Sequence, residues 1–232
     1  MDAGPPGPVP DARRRRLALE CALLFGGLPA ALAGSTLAGF RINPLLPLLL
    51  AAGTVTILLL RDPSFDRARF RRPAPGTLRA GMRVVRFLIS AAILAAALWW
   101  WAPDRLLALP RWNLRLWAVV CVLYPLVSVV PQGLLYRAFF HHRYAPLFGD
   151  DRGLALAGTL AFAWAHVVFL NPVAILLTLA GGWFFARTYQ ESRSIPAASL
   201  EHAAYGDLVF TLGWGSYLYQ GTTAALKALM PS

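Results

Sequence analysis

Seven long apolar runs, almost free of charge, leave this chain few ways to fold. They span residues 17–40, 44–60, 84–103, 116–135, 153–170, 172–186 and 203–226. About 20 such residues cross the ~30 Å hydrocarbon core of a bilayer as a helix. Inside lipid every backbone N–H and C=O must be satisfied within the protein, so helices are the form such runs take. The reading is an all-α, polytopic transmembrane bundle of about seven spans, six to eight because the second and sixth runs are short. Composition agrees: 57% of the 232 residues are hydrophobic and 14% charged, against about 25% charge in soluble domains. Disordered chains and ordinary soluble enzymes are excluded. The first run exceeds a signal-peptide core and lacks an Ala-x-Ala exit, so it reads as an anchor.

Charge sets the orientation. The chain carries 22 basic and 11 acidic residues, a net +11. Arg13, Arg14, Arg15 and Arg16 precede the first run, and Arg61, Arg67, Arg69, Arg71, Arg72, Arg79 and Arg83 lie between the second and third. The positive-inside rule puts these segments, and with them the N-terminus, in the cytoplasm. Arg143, Arg152, Arg187 and Arg193 fall on the same side; Arg41, Arg105, Arg111, Arg115 and Lys227 fall on the other. Trp99, Trp100, Trp101, Trp112 and Trp117 form an aromatic belt at that outer face. The arginines adjoin apolar runs, so their partner is anionic membrane lipid and not nucleic acid. Cys21 and Cys121 lie inside apolar runs and read as small buried residues. Residues 1–12 read as a Pro/Gly-rich disordered tail. Residues 13–232 form a single transmembrane domain. Residues 61–80 are a cytoplasmic loop or surface amphipathic piece. The location is an integral membrane protein of bacterial-type cytoplasmic (inner) membrane.

An ionisable side chain at membrane depth is costly and is by default a functional hypothesis. Glu20, Arg137, His166, Glu201, His202 and Asp207 are the candidates. Glu20 reads as an i,i+4 partner of Arg16, and His141 and His142 as a solvated interfacial face. His166 lies deeper. If the fourth helix runs on to a turn at 145–151, Gly133 lies roughly 18 Å from that turn and His166 roughly 21 Å, at 1.5 Å per residue. The segment PQGLLYR and His166 then meet across a helical hairpin. Pro125 and Pro131 kink the fourth helix just before this point.

Three segments carry a family resemblance: PQGLLYRAFF, FAWAH and EHAAYGDLVFTLG. Together, across residues 115–222, they resemble the motif blocks of the CPBP family, the CAAX-protease and bacteriocin-processing intramembrane proteases. That family's pattern is Glu-Glu-x-x-x-Arg, then Phe-x-x-x-His, then His-x-x-x-Asn or Asp. Arg137 matches the arginine, Phe162 and His166 the second block, and His202 the third histidine. Gln132 and Gly133 stand at the two glutamate positions. A branch of the family resembles PQExxxR, so Gly133 occupies the place of its glutamate. Gly206 stands where Asn or Asp is expected, with Asp207 one residue on. The resemblance implies a peptidase lineage and a water activated by glutamate and histidine beneath the membrane surface.

Peptide hydrolysis needs a base for the water and an acid for the leaving amine. Two histidines with an amide or carboxylate would stabilise the oxyanion. Glycine supplies none of this, and losing a general base costs about 10²–10⁴-fold in rate. The substitutes are few. Glu201 adjoins His202, but neighbouring helix residues point about 100° apart; Asp207 is the other candidate. The expected activity is a CPBP-type intramembrane endopeptidase acting on membrane-embedded or lipidated peptides, weakened at Gly133. The alternative is an inactive relative that binds or scaffolds such peptides. A proton- or substrate-conducting bundle and a purely structural role for Arg137 and His166 rank below these. No cofactor is required on this reading. A divalent metal such as zinc would need three ligands, of which His166 and His202 supply two and Asp207 or Glu201 a third.

Overall fold

The computed structural model describes residues 10–40, 42–73 and 77–218, with the side chains of 77–79 left aside. The expectations for the tail residues 1–9, for Arg41 and for Lys227 lie outside these, as does the part of the last apolar run beyond 218. The described residues include seven longer helices and two short ones, joined by turns and single-turn 3-10 pieces. α1 is Asp11–Leu37, α2 Leu45–Arg61, α3 Thr77–Trp101, α4 Leu114–Arg143, α5 Asp151–Phe169, α6 Pro172–Ser192 and α7 Ile195–Leu212. The short pieces are Ala108–Trp112 and Ala145–Phe148.

Among the described residues four helices are long and apolar enough to cross a membrane: α1, α3 from Ala80, α4 and α5. α2 has 17 residues and is a shorter apolar helix. α7 differs most from the sequence reading. It begins at Ile195, well before residue 203, and ends at Leu212 because Gly213 takes a φ of 114°. Only glycine adopts such a backbone freely, so the apolar run that continues past it is not one helix.

Local sequence sets the ends. Asn113, Asp150, Asn171 and Ser194 each accept a backbone N–H at the start of α4, α5, α6 and α7. These side chains satisfy donors that a helix start leaves free. Pro172 and Ile195-Pro196 open α6 and α7, where a missing N–H costs nothing.

Polar contacts tie the two ends of the bundle. At one end Arg143 of α4 donates to Glu20 of α1 at 2.8 and 3.0 Å, and Tyr144 adds a bond of 3.0 Å. Glu20 therefore pairs across helices and not mainly with Arg16, because the end of α4 delivers a guanidinium and a hydroxyl to it. His142 lies 2.9 Å from Asp62 at the end of α2. Hydrogen bonds from Ser64, and then His142, hold the Asp62 carboxyl below the usual carboxylate range. Residues 61–73 fold onto this end, with Phe65 buried against Phe70 and His142. At the other end Trp117 donates to Thr211 at 2.9 Å, and Trp214 to the Leu94 carbonyl at 3.1 Å. Trp99, Trp100 and Trp101 are exposed there.

The main core gathers aromatic residues of α4, α5 and α6 around Phe25 of α1. Phe25 meets Tyr136, Phe140 and Tyr144 edge-on at 5.0–5.7 Å between centroids. Both cysteines are free and half-buried.

Candidate active site

α4 is wound unevenly. Its turns widen to i→i+5 bonding over Pro125–Val129 and again over Leu134–Phe139. Pro125 and Pro131 have no N–H to give to the preceding turn, so the bonding register slips locally. Wide turns of this kind recur at functional sites. Here they flank Gln132 and Gly133 and carry Arg137.

The expected residues Arg137, His166 and His202 surround one ring, that of Phe162, which is 1% exposed. The Arg137 guanidinium lies over it at 4.8 Å. The His166 ring is 4.8 Å away and the His202 ring 5.3 Å, between centroids. His202 also stacks on Phe185 at 4.4 Å and 18°. The second motif block thus does two jobs. Its histidine enters the cluster and its phenylalanine is the surface on which the others rest. The spacing Phe-x-x-x-His places both on one helix face.

Each polar group has a defined setting. His166 Nδ1 donates to the Phe162 carbonyl at 2.8 Å, because a carbonyl can only accept. In the neutral imidazole Nε2 then keeps its lone pair. His202 Nε2 lies 3.3 Å from the Tyr124 hydroxyl. Arg137 is 3% exposed. Its Nη1 contacts the Tyr136 carbonyl at 3.4 Å, and Nη2 has no hydrogen-bond partner among the described residues. No salt bridge to Arg137 occurs among them; aromatic faces hold the cation instead.

Gln132 donates to Ser128 at 2.8 Å and leaves Oε1 buried with no hydrogen-bond partner among the described residues. Gly133 faces α7. A Cβ added there would stand 2.7 Å from Ser199 Oγ, a buried hydroxyl that also lacks a hydrogen-bond partner among the described residues. Glu201 is drawn away from the cluster by an ion pair with Arg86 of α3. Arg86 lies in turn 4.3 Å over the Phe184 ring. His202 faces Phe162 while Glu201 faces α3, as adjacent helix positions must. Asp207 has one buried carboxylate oxygen with no hydrogen-bond partner among the described residues.

His141 departs from the sequence reading. It is buried, packs on Tyr189 at 5.4 Å and has no hydrogen-bond partner for Nε2 among the described residues, because the end of α4 is covered by α5 and α6. His142 is paired as described above. The sequence reading also passed over Arg86, Tyr124, Ser128 and Ser199. Arg86 was findable, being a lone cation within an apolar run that needed a buried acid. The two serines and the tyrosine carry no such signal.

No group of three or more His, Cys, Asp or Glu side chains able to hold a metal ion occurs among the described residues. His166 and His202 alone do not make the three-ligand set of a zinc site.

Residues 110–206 match the family described as type II CAAX prenyl endopeptidase Rce1-like. Over these residues the chain is similar to the Rce1-like family. The matched segment holds α4 from its start, all of α5 and α6, and α7 through Gly206, so it contains Arg137, Phe162, His166 and His202. No curated protein matches the chain, and no solved structure does. With apolar helices long enough to span a bilayer, this Rce1-like chain is a helical membrane protein.

Proposed function

We propose that the chain is an intramembrane endopeptidase of CAAX prenyl type, taking membrane-associated or prenylated peptides and hydrolysing them weakly. The observation that carries the reading is the convergence of Arg137, His166 and His202 on Phe162, inside the family segment. A peptide carbonyl entering beside these groups meets a cation and two imidazoles in a dry setting, where such groups act strongly. Water takes the place of a covalent nucleophile, and His166 Nε2 is the free lone pair that can accept its proton. The amine leaves with a proton returned from an imidazole. No metal or cofactor enters these steps. Gly133 brings no carboxylate, and Glu201 is committed to Arg86, so the rate is low. The seven helices span a bacterial-type inner membrane, with the N-terminus and the Arg-rich 61–83 segment in the cytoplasm and anionic lipid against them.

A second reading is a peptide-holding protein that does not cleave. The Arg137 Nη2, without a hydrogen-bond partner among the described residues, and the absent side chain at 133 favour it.

The test is cleavage of a prenylated peptide by the native chain in liposomes. His166→Ala is expected to abolish it. Unchanged cleavage would take His166 out of the site, and peptide binding with no cleavage by the native chain would favour the second reading.

A further inference from the structure

Residues 202 and 206 are four apart on α7, so a side chain at 206 would lie beside His202. There is no room for one. A Cβ built on Gly206 would meet the Tyr124 hydroxyl at 2.5 Å and Cζ at 2.7 Å, and its ring edge closer still. Tyr124 belongs to α4, not α7. Its ring is held edge-on against Phe210 at 5.1 Å and His202 at 6.3 Å. Its hydroxyl lies 3.3 Å from His202 Nε2. Pro125 follows directly and opens the first wide turn, which fixes where the tyrosine leaves α4.

We propose that Tyr124 is the positioning residue for His202, its hydroxyl doing from α4 what a polar side chain at 206 would do from α7. Gly206 is a glycine because the tyrosine fills its side-chain space. The hydroxyl bonds Nε2 and sets which nitrogen of His202 carries the proton, while Phe185 stacking fixes the ring plane. A carboxamide or carboxylate at 206 and a tyrosine at 124 are thus alternative ways to orient one imidazole. The catalytic part of this inference rests on the peptidase reading; the pairing itself does not.

The experiment reads both parts. In ¹⁵N-histidine-labelled protein, Tyr124→Phe should move the His202 Nε2 resonance and leave those of His166 in place. The Tyr124→Ala/Gly206→Asn double variant should return the His202 resonance towards the native position, because the amide now occupies the vacated space. In the cleavage assay Tyr124→Phe should lower kcat about 10²-fold, as loss of one oriented polar group does, with KM little changed and partial recovery in the double variant. A His202 resonance that does not move in Tyr124→Phe overturns the proposal whatever cleavage does. An active native chain whose kcat is untouched by Tyr124→Phe also overturns it. A native chain that cleaves nothing defeats the peptidase reading, and the shifted His202 resonance then still upholds the pairing.

Discussion

Gly133→Glu combined with Ser199→Ala should raise peptide cleavage by about 10²–10⁴-fold over the native chain, the usual worth of a general base. The second substitution follows from the packing. A Cβ at 133 stands 2.7 Å from Ser199 Oγ and 4.0 Å from Ser199 Cβ. Removing the hydroxyl therefore removes the obstacle and leaves the helix contact. Gly133→Glu alone must first turn the serine away, so its gain should be smaller. The introduced carboxylate would enter within about one turn of Arg137, whose Nη2 has no hydrogen-bond partner among the described residues. That pairing favours its entry, and the carboxylate supplies the base for water that Gly133 lacks. Initial rates on a prenylated peptide in liposomes, with folding checked by thermal unfolding, decide the matter. A folded double variant no faster than the native chain would show that position 133 does not limit hydrolysis.

The second large effect is expected at Phe162. Arg137, His166, His202 and Tyr136 all pack on its ring. Phe162→Ala should cost about 3 kcal/mol, towards the low end for a buried phenylalanine. Lipid-facing helices gain little from water exclusion, so the cavity and lost contacts make up the loss. The buried cation also loses a face worth up to about 2 kcal/mol. Thermal unfolding in detergent should show a clearly lower midpoint, and cleavage should vanish even below it. Phe162→Leu restores much of the volume and should recover stability more than activity. Equal midpoints and equal rates for Phe162→Ala and the native chain would sink the idea of Phe162 as the hub.

Much of the fold was legible because lipid simplifies the code. Apolar runs and prolines located the longer helices, and the arginines foretold which ends gather together. Glu20, Asp62, His142 and Arg143 do meet at one end. The span of α7 was not legible, because an apolar run does not reveal that Gly213 turns at positive φ. Arg137, His166 and His202 stood out as ionisable groups at membrane depth, and with Phe162 they matched the motif blocks of the CPBP resemblance; the structure brings the four together. Their immediate partners were hidden. Ser199 and Tyr124 are ordinary residues by type, and what distinguishes them is the glycine each one faces across a helix boundary. Such pairings belong to packing, not to any local pattern. The ion pair of Arg86 and Glu201 stands between these cases. Glu201 was a candidate from the sequence and Arg86 lay unremarked in the third apolar run, but which charge answered the other depended on how α3 lies against α7.

The central claim is that α4, α5 and α7 form one peptide site around Phe162. The most direct measurement is photo-crosslinking in liposomes with a prenylated peptide that carries a photoreactive residue beside the prenyl-cysteine. The account predicts labelling of the segments around Gly133, Phe162 and His202, competed away by unlabelled prenylated peptide. Labelling confined to the lipid-facing positions Val119, Val122 and Leu126, which are exposed on α4, and not competed by the unlabelled peptide, would contradict it.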